Sequence, residues 1–99
     1  MKQRRVILTP EATDDLEAIH RYIAEATGSA VADHYLGRLK KYVKGFDLAS
    51  ERGTLRNDLR PGLRYIGFER RVTITFAVFE DHVEILNFFW GGQNWEEKV

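Results

Sequence analysis

The sequence predicts an α+β domain in two layers: an N-terminal edge strand, an antiparallel helical hairpin, and a three-stranded antiparallel meander. Three observations carry that prediction. Apolar residues recur at three- and four-residue steps along two stretches of the first half. After residue 62 the period changes to two. Within each half, only two or three residues separate consecutive stretches, so neighbours must fold back on one another.

The first strand is expected at residues 6–8, Val-Ile-Leu. Thr9-Pro10-Glu11 then reads as a helix start, with Thr9 as N-cap and Pro10 at the first helical position. Asp14, Asp15 and Glu17 suit the positive end of that helix dipole. Ala12, Leu16, Ile19, Ile23 and Ala26 form its apolar stripe, and Gly28 ends it in a left-handed conformation. Ser29 is the expected cap of a second helix, whose stripe is Val31, Tyr35, Leu39, Tyr42, Val43 and Phe46. Residues 47–62, with Gly53, Asn57, Asp58, Pro61 and Gly62, read as loop. Strands follow at 63–68, 71–79 and 83–90, the last two joined through Glu80-Asp81-His82 and the last ending at Gly91-Gly92. In the middle strand Val72, Ile74, Phe76 and Val78 alternate with Thr73, Thr75 and Ala77, which places Arg71 on the face of the threonines.

Ninety-nine residues, 43% hydrophobic and 30% charged, suit one globular domain spanning residues 1–99. With no cysteine, disulfides and thiolate metal sites are excluded. The basic start Lys2-Gln3-Arg4-Arg5 leads into only three apolar residues, too few for an export signal, and no apolar run is long enough to span a bilayer. A cytoplasmic protein with no membrane contact is expected.

Net charge is zero, yet the charges are segregated. Residues 11–33 carry six acids against Arg21, and residues 52–71 carry six arginines against Asp58 and Glu69. Either the two segments complement each other within the fold, or the arginines attract a polyanion or an acidic partner. In Arg60-Pro61-Gly62-Leu63-Arg64, a type II turn centred on Pro61 and Gly62 would hold two guanidinium groups on a semi-rigid base, suited to phosphates or carboxylates. Trp90 and Trp95 flank Gly91-Gly92-Gln93-Asn94; the first is expected to seal the end of the core, the second either to pack or to offer an aromatic contact. Phe79, Phe88 and Phe89 read as packing residues. His20, His34 and His82 have no metal-ligand spacing, and no serine or cysteine triad or glycine-rich phosphate loop is present, so neither cofactor nor metal is expected.

The order of these elements resembles the RelE/ParE toxin superfamily over essentially the whole chain. The carriers are Arg5-Val6-Ile7-Leu8-Thr9-Pro10-Glu11-Ala12, the helical hairpin, Leu59-Arg60-Pro61-Gly62-Leu63-Arg64, Arg71-Val72-Thr73-Ile74, and Val83-Glu84-Ile85-Leu86 running into Trp90-Gly91-Gly92. The arginine-flanked Pro-Gly turn and the Gly-Gly ending are most similar to the ParE branch. The resemblance implies a toxin neutralised, in a hetero-oligomeric complex, by a ParD-like antitoxin encoded beside it. RelE-like members cleave messenger RNA on the ribosome with basic residues on the sheet and a C-terminal arginine and tyrosine; Arg71 matches the strand arginine of that set, and the alternative endoribonuclease reading would use Arg64 and Arg71. After Gly91-Gly92, however, stand Gln93-Asn94-Trp95, and no tyrosine follows. ParE-like members lack that set and are associated with poisoning DNA gyrase. The resemblance therefore implies a non-catalytic toxin whose target-binding surface comprises Arg60, Arg64, Arg71, Trp90, Gln93 and Trp95.

Overall fold

The computed structural model describes residues 2–99. Strand β1 (Arg5–Leu8) is followed by helices α1 (Pro10–Thr27) and α2 (Ser29–Lys44), then strands β2 (Thr54–Leu55), β3 (Leu63–Phe68), β4 (Val72–Val78) and β5 (His82–Trp90). Single 3₁₀ turns occupy Gly45–Asp47 and Trp95–Glu97. The strands form one sheet in the order β1-β5-β4-β3-β2. The expected meander is β3-β4-β5, and β1 lies at the sheet edge, parallel to β5. The helical hairpin covers one face, giving the two-layer α+β architecture.

Local chemistry sets these boundaries. The Thr9 hydroxyl accepts the Ala12 N–H at 3.1 Å and donates to the Leu86 carbonyl at 2.8 Å, so one side chain caps α1 and ties it to β5. Pro10 occupies the first turn of α1, where its missing N–H costs nothing. β5 runs past the end of β1 after Ile85. There the Asp15 carboxylate accepts the Phe88 N–H at 2.9 Å and the Asn87 side-chain amide at 3.0 Å, satisfying an edge that would otherwise be left unpaired.

The core lies between the hairpin and the inner sheet face. Leu39, Phe46, Ile74, Phe76, Val83 and Ile85 are completely buried there. Each such side chain contributes about 1.5–3 kcal/mol relative to exposure.

Five details go beyond or differ from the sequence expectations. Residues 47–62 are not all loop: Thr54 and Leu55 add a short fifth strand to β3. Its approach is so close that a Cβ on Gly53 (φ +72°) would lie 2.3 Å from the Tyr65 carbonyl oxygen. Ser29 begins α2 rather than capping it; Gly28 (φ 106°) is the junction, and no side chain caps the helix. Val31 and Ala26 face solvent, the buried stripe of α2 being Ala32, Tyr35, Leu36, Leu39 and Val43. Arg71 belongs to the β3–β4 turn, β4 starting one residue later. Between Thr75 and Phe76 the β4–β5 register shifts, leaving Leu86 as an extra residue in β5.

Candidate functional site

The six arginines of residues 52–71 divide into those the fold uses and those it leaves to solvent. Arg52 donates to the carbonyls of Gly45, Leu48 and Ala49 at 2.9–3.1 Å and lies 4.6 Å over the Phe46 ring, closing the chain that leaves α2. Arg56 forks onto Asp58 with two 2.9 Å bonds and reaches Glu96 at 2.7 Å, which strengthens its hold on its proton. The same interaction holds the Asp58 carboxyl below the usual carboxylate range. Neither arginine pairs with the acids of α1. Arg60, Arg70 and Arg71 are exposed and make no side-chain hydrogen bond among the described residues.

The turn before β3 has the geometry its residues favour. Leu63 N–H donates to the Arg60 carbonyl at 3.0 Å across Pro61 and Gly62, and Gly62 has φ +78°. Asn57 fixes the turn from outside by accepting the Gly62 N–H at 2.8 Å. Arg60 therefore projects from a braced turn, whereas Arg64, partly buried, donates to the Arg52 carbonyl at 3.3 Å. Arg64 and Arg71 do not meet. Arg64 registers with Phe76, and from Phe76 back to Arg71 the chain covers roughly 16 Å of extended strand. Arg60 and Arg64 lie at one end of the sheet and Arg71 at the other.

At the Arg71 end the helices meet the sheet through aromatic rings. Tyr35 packs edge-on against Trp90 (5.6 Å) and Phe68 (5.8 Å), and Tyr22 lies over Trp90 at 5.8 Å. Arg38 of α2 forks onto Glu69 with bonds of 2.9 and 3.0 Å, holding that carboxyl below its ordinary range and fixing the β3–β4 turn to the helix. Glu69 and Arg70 both adopt left-handed backbone, φ 49° and 59°. Burial pushes the Tyr35 phenol up, and its hydroxyl has no protein partner among the described residues. Tyr22, Arg70, Arg71, Trp90, Gly91 and Gly92 together line a depression of about 500 Å³.

Trp90 thus seals the core, as its position at the end of β5 suggests, while its edge faces that depression. Gln93 donates to the Trp90 carbonyl at 3.0 Å and accepts from Lys98 at 2.6 Å. Trp95 packs against Tyr65 (4.7 Å) beneath the Arg56 guanidinium (5.8 Å). Its 3₁₀ turn therefore covers part of the outer sheet face, where Tyr65 lies opposite Thr75. Phe88 is core and Phe89 is buried, but Phe79 is exposed and stacks on His82 at 4.7 Å. The sequence reading missed the contribution of Tyr22 and Arg70. Tyr22 falls off the apolar stripe of α1, which is the signal that could have marked it.

A helical hairpin on one face of a mixed five-stranded sheet, with a Pro-Gly turn flanked by Arg60 and Arg64 and braced by Asn57, is the fold of the RelE/ParE toxin superfamily. The family model of the ParE toxin of type II toxin–antitoxin system, parDE, matches residues 6–95, and the chain belongs to that family. Among solved structures it is similar to a chain of the chromosomal ParDE TA system from P. aeruginosa, with a TM-score of 0.79 at 23% identity. That alignment covers 90% of this chain and 97% of the other. No curated protein matches the sequence. Among the described residues, no helix is long and apolar enough to cross a membrane.

Proposed function

We propose that this ParE-family toxin arrests growth by binding and inhibiting a DNA topoisomerase, DNA gyrase, in the cytoplasm, and that it does so without catalysis of its own. The observation that carries this reading is the separation of Arg64 from Arg71. A nuclease needs charge stabilisation and proton transfer to converge on one phosphate. Here the two candidate arginines occupy opposite ends of the sheet, and Gln93-Asn94 follows Gly91-Gly92 where relatives place arginine and an acid, with no tyrosine after it. The target contacts are Arg60 on its braced turn with Arg64 at one end of the sheet, Arg71, Trp90 and Gln93 at the other, and Trp95 on the outer face.

A cognate ParD-like antitoxin, encoded adjacently, neutralises the toxin in a hetero-oligomeric complex. It docks where the hairpin meets the β1 edge. A groove of about 880 Å³ runs between α1 and α2 past Leu8, Leu16 and Leu36, and a smaller one of about 190 Å³ continues it beside Val6 and Val43. Their apolar floor suits an amphipathic segment with apolar side chains at helical spacing, and the rim of the larger groove offers both signs of charge, Glu17, Glu25 and Asp33 beside Arg21 and Lys40.

The test adds purified toxin to gyrase supercoiling and cleavage reactions and, in parallel, to a translation extract with labelled message. Inhibited supercoiling with intact message is the expected result. Codon-spaced cleavage of the message with gyrase untouched overturns the reading. Absence of growth arrest on expression without an antitoxin would leave only an interaction module.

A further inference from the structure

The charges on the rim of the hairpin groove are sorted along its length. His20 of α1 meets Asp33 of α2 at 2.7 Å, and this contact fixes how the antiparallel helices lie side by side. Counted from it, Glu25 lies level with the start of α2 and Glu17 about level with Leu36, whereas Lys40 stands about one turn farther along and Lys44 about another. At one end, therefore, three carboxylates accompany Arg21. At the other, Lys40 and Lys44 flank an apolar floor of Val6, Leu8 and Val43 that no carboxylate lines among the described residues. Beyond Lys44 the surface stays basic, with Arg4 and Arg5 beside Asp47 and Asp81.

The fold makes little use of these groups. Asp33 is engaged by His20, but Glu17, Glu25, Lys40 and Lys44 are exposed and form no ion pair among the described residues. Arg21 can offset one carboxylate of the three, which leaves that end negative. Apolar burial is non-directional, so the floor alone would accept a helix lying either way along it. Charges across an interface are what fix register and exclude the wrong partner. Both helices of this chain already bury their apolar stripes in its own core, so a second copy has no free amphipathic helix to lay in the groove. The occupant is a segment of a different protein.

We propose that the groove selects an amphipathic partner helix whose charges are segregated end to end, basic residues over Glu17, Glu25 and Asp33 and acidic residues about two to three turns away over Lys40 and Lys44. The inference rests on the reading of this groove as the antitoxin's docking surface, and adds to it the charge order and the direction of the bound segment. From Asp33 to Lys44 the axis of α2 advances about 16 Å, the length of about eleven helical residues. A segment placed the opposite way sets like charge against like at both ends, so it is repelled and not merely unrewarded. A uniformly acidic segment meets the same repulsion along half of the groove.

Fluorescence anisotropy of the intact protein with two labelled synthetic peptides tests it. Both are amphipathic helices of about sixteen residues with the same apolar stripe and the same composition. In one the lysines and glutamates are segregated end to end; in the other they alternate. The segregated peptide should bind about fivefold or more tighter at low ionic strength, and the gap should close in about 1 M salt, where the Debye length is about 3 Å. Lys40→Glu combined with Lys44→Glu should weaken the segregated peptide about tenfold. Lys41→Glu, on the same helix but outside the groove lining, should leave it unaltered. Equal affinity of the two peptides overturns the proposal, as does a loss in Lys41→Glu equal to that in the double variant. Gly37→Phe keeps this failure apart from failure of the docking surface. Gly37 lines the groove and a Cβ there meets nothing within 4 Å, so a ring fills the groove without disturbing the helix. If Gly37→Phe blocks both peptides while the parent binds them alike, the docking surface stands and the charge order falls. If it blocks neither, or if neither peptide binds the parent, the docking surface falls and the proposal with it.

Discussion

Alanine at position 53 should destabilise the fold well beyond alanine at position 62, although both glycines have nearly the same backbone, φ +72° and +78°. At Gly62 the space around a new Cβ is open, so the only cost is left-handed backbone, about 1–2 kcal/mol for an L-residue. At Gly53 the same cost applies, and the Cβ also falls 2.3 Å from the Tyr65 carbonyl oxygen and 3.1 Å from its carbon. Those are backbone atoms of β3, so no side chain can swing aside. The chain must move by about an ångström, peeling Thr54 and Leu55 from Tyr65 and Arg64. With each lost hydrogen bond worth about 0.5–1.5 kcal/mol, the total reaches about 2–4 kcal/mol. For a domain of this size that lowers the melting temperature by roughly 10–25 °C. Thermal melts by circular dichroism of the two variants beside the parent provide the measurement. Equal melting temperatures for Gly53→Ala and Gly62→Ala would refute the close approach that places β2 in the sheet.

Two further outcomes follow from the helix–sheet ties. Asp15→Ala should cost about 1–3 kcal/mol, because it strips the acceptor from the Phe88 N–H at the end of β1, with Asp15→Asn costing less; urea unfolding with an unchanged m-value checks this. His82 lies between the carboxylates of Asp81 (2.7 Å) and Glu84 (3.2 Å), which raise its pKa above the ordinary value of about 6.5. Its contribution is therefore complete below about pH 6.5 and disappears as pH rises through the raised folded value, so the melting temperature of the parent should fall over that interval relative to His82→Gln. A constant difference between the two across about pH 5 to 8 would contradict the pairing.

The elements that sequence made legible are those in which local chemistry and tertiary packing agree. Thr9-Pro10 starts a helix in almost any context, and the strict alternation from Val72 onward leaves one choice of buried face. Where tertiary contacts decide, the sequence is silent. Thr54 and Leu55 carry no strand signal of their own and pair only because Gly53 lets the chain lie against Tyr65. Nothing in Val6-Ile7-Leu8 specifies a parallel partner. The arginine segment was visible as a cluster, but not its division: Arg52 and Arg56 are consumed by carbonyls and carboxylates near in space, while Arg60 and Arg71 are separated by the length of the sheet. Tyr22 and Arg70 stayed hidden because one is a polar-face residue of a helix and the other a turn residue, both defined only when α1 meets the end of β5.

The parallel pairing of β1 with β5 also governs the order in which the molecule can be assembled. Arg5 registers with His82 and Leu8 with Ile85, so the first strand made has its partner among the last. β5 is flanked on both sides, by β1 and β4, and receives the ties from Thr9 and Asp15. A nascent chain can form the helical hairpin and pair β3 with β4, touching through Tyr35–Phe68 and Arg38–Glu69, but β1 and the ties from Thr9 and Asp15 stay without their partner until β5 inserts. Such long-range closure makes folding slow compared with a local meander. A chain interrupted before β5 therefore lacks the strand on which both the β1 edge and the α1 ties close. Without His82–Trp90, β1 and β4 lose the strand that lies between them, and the sheet cannot close.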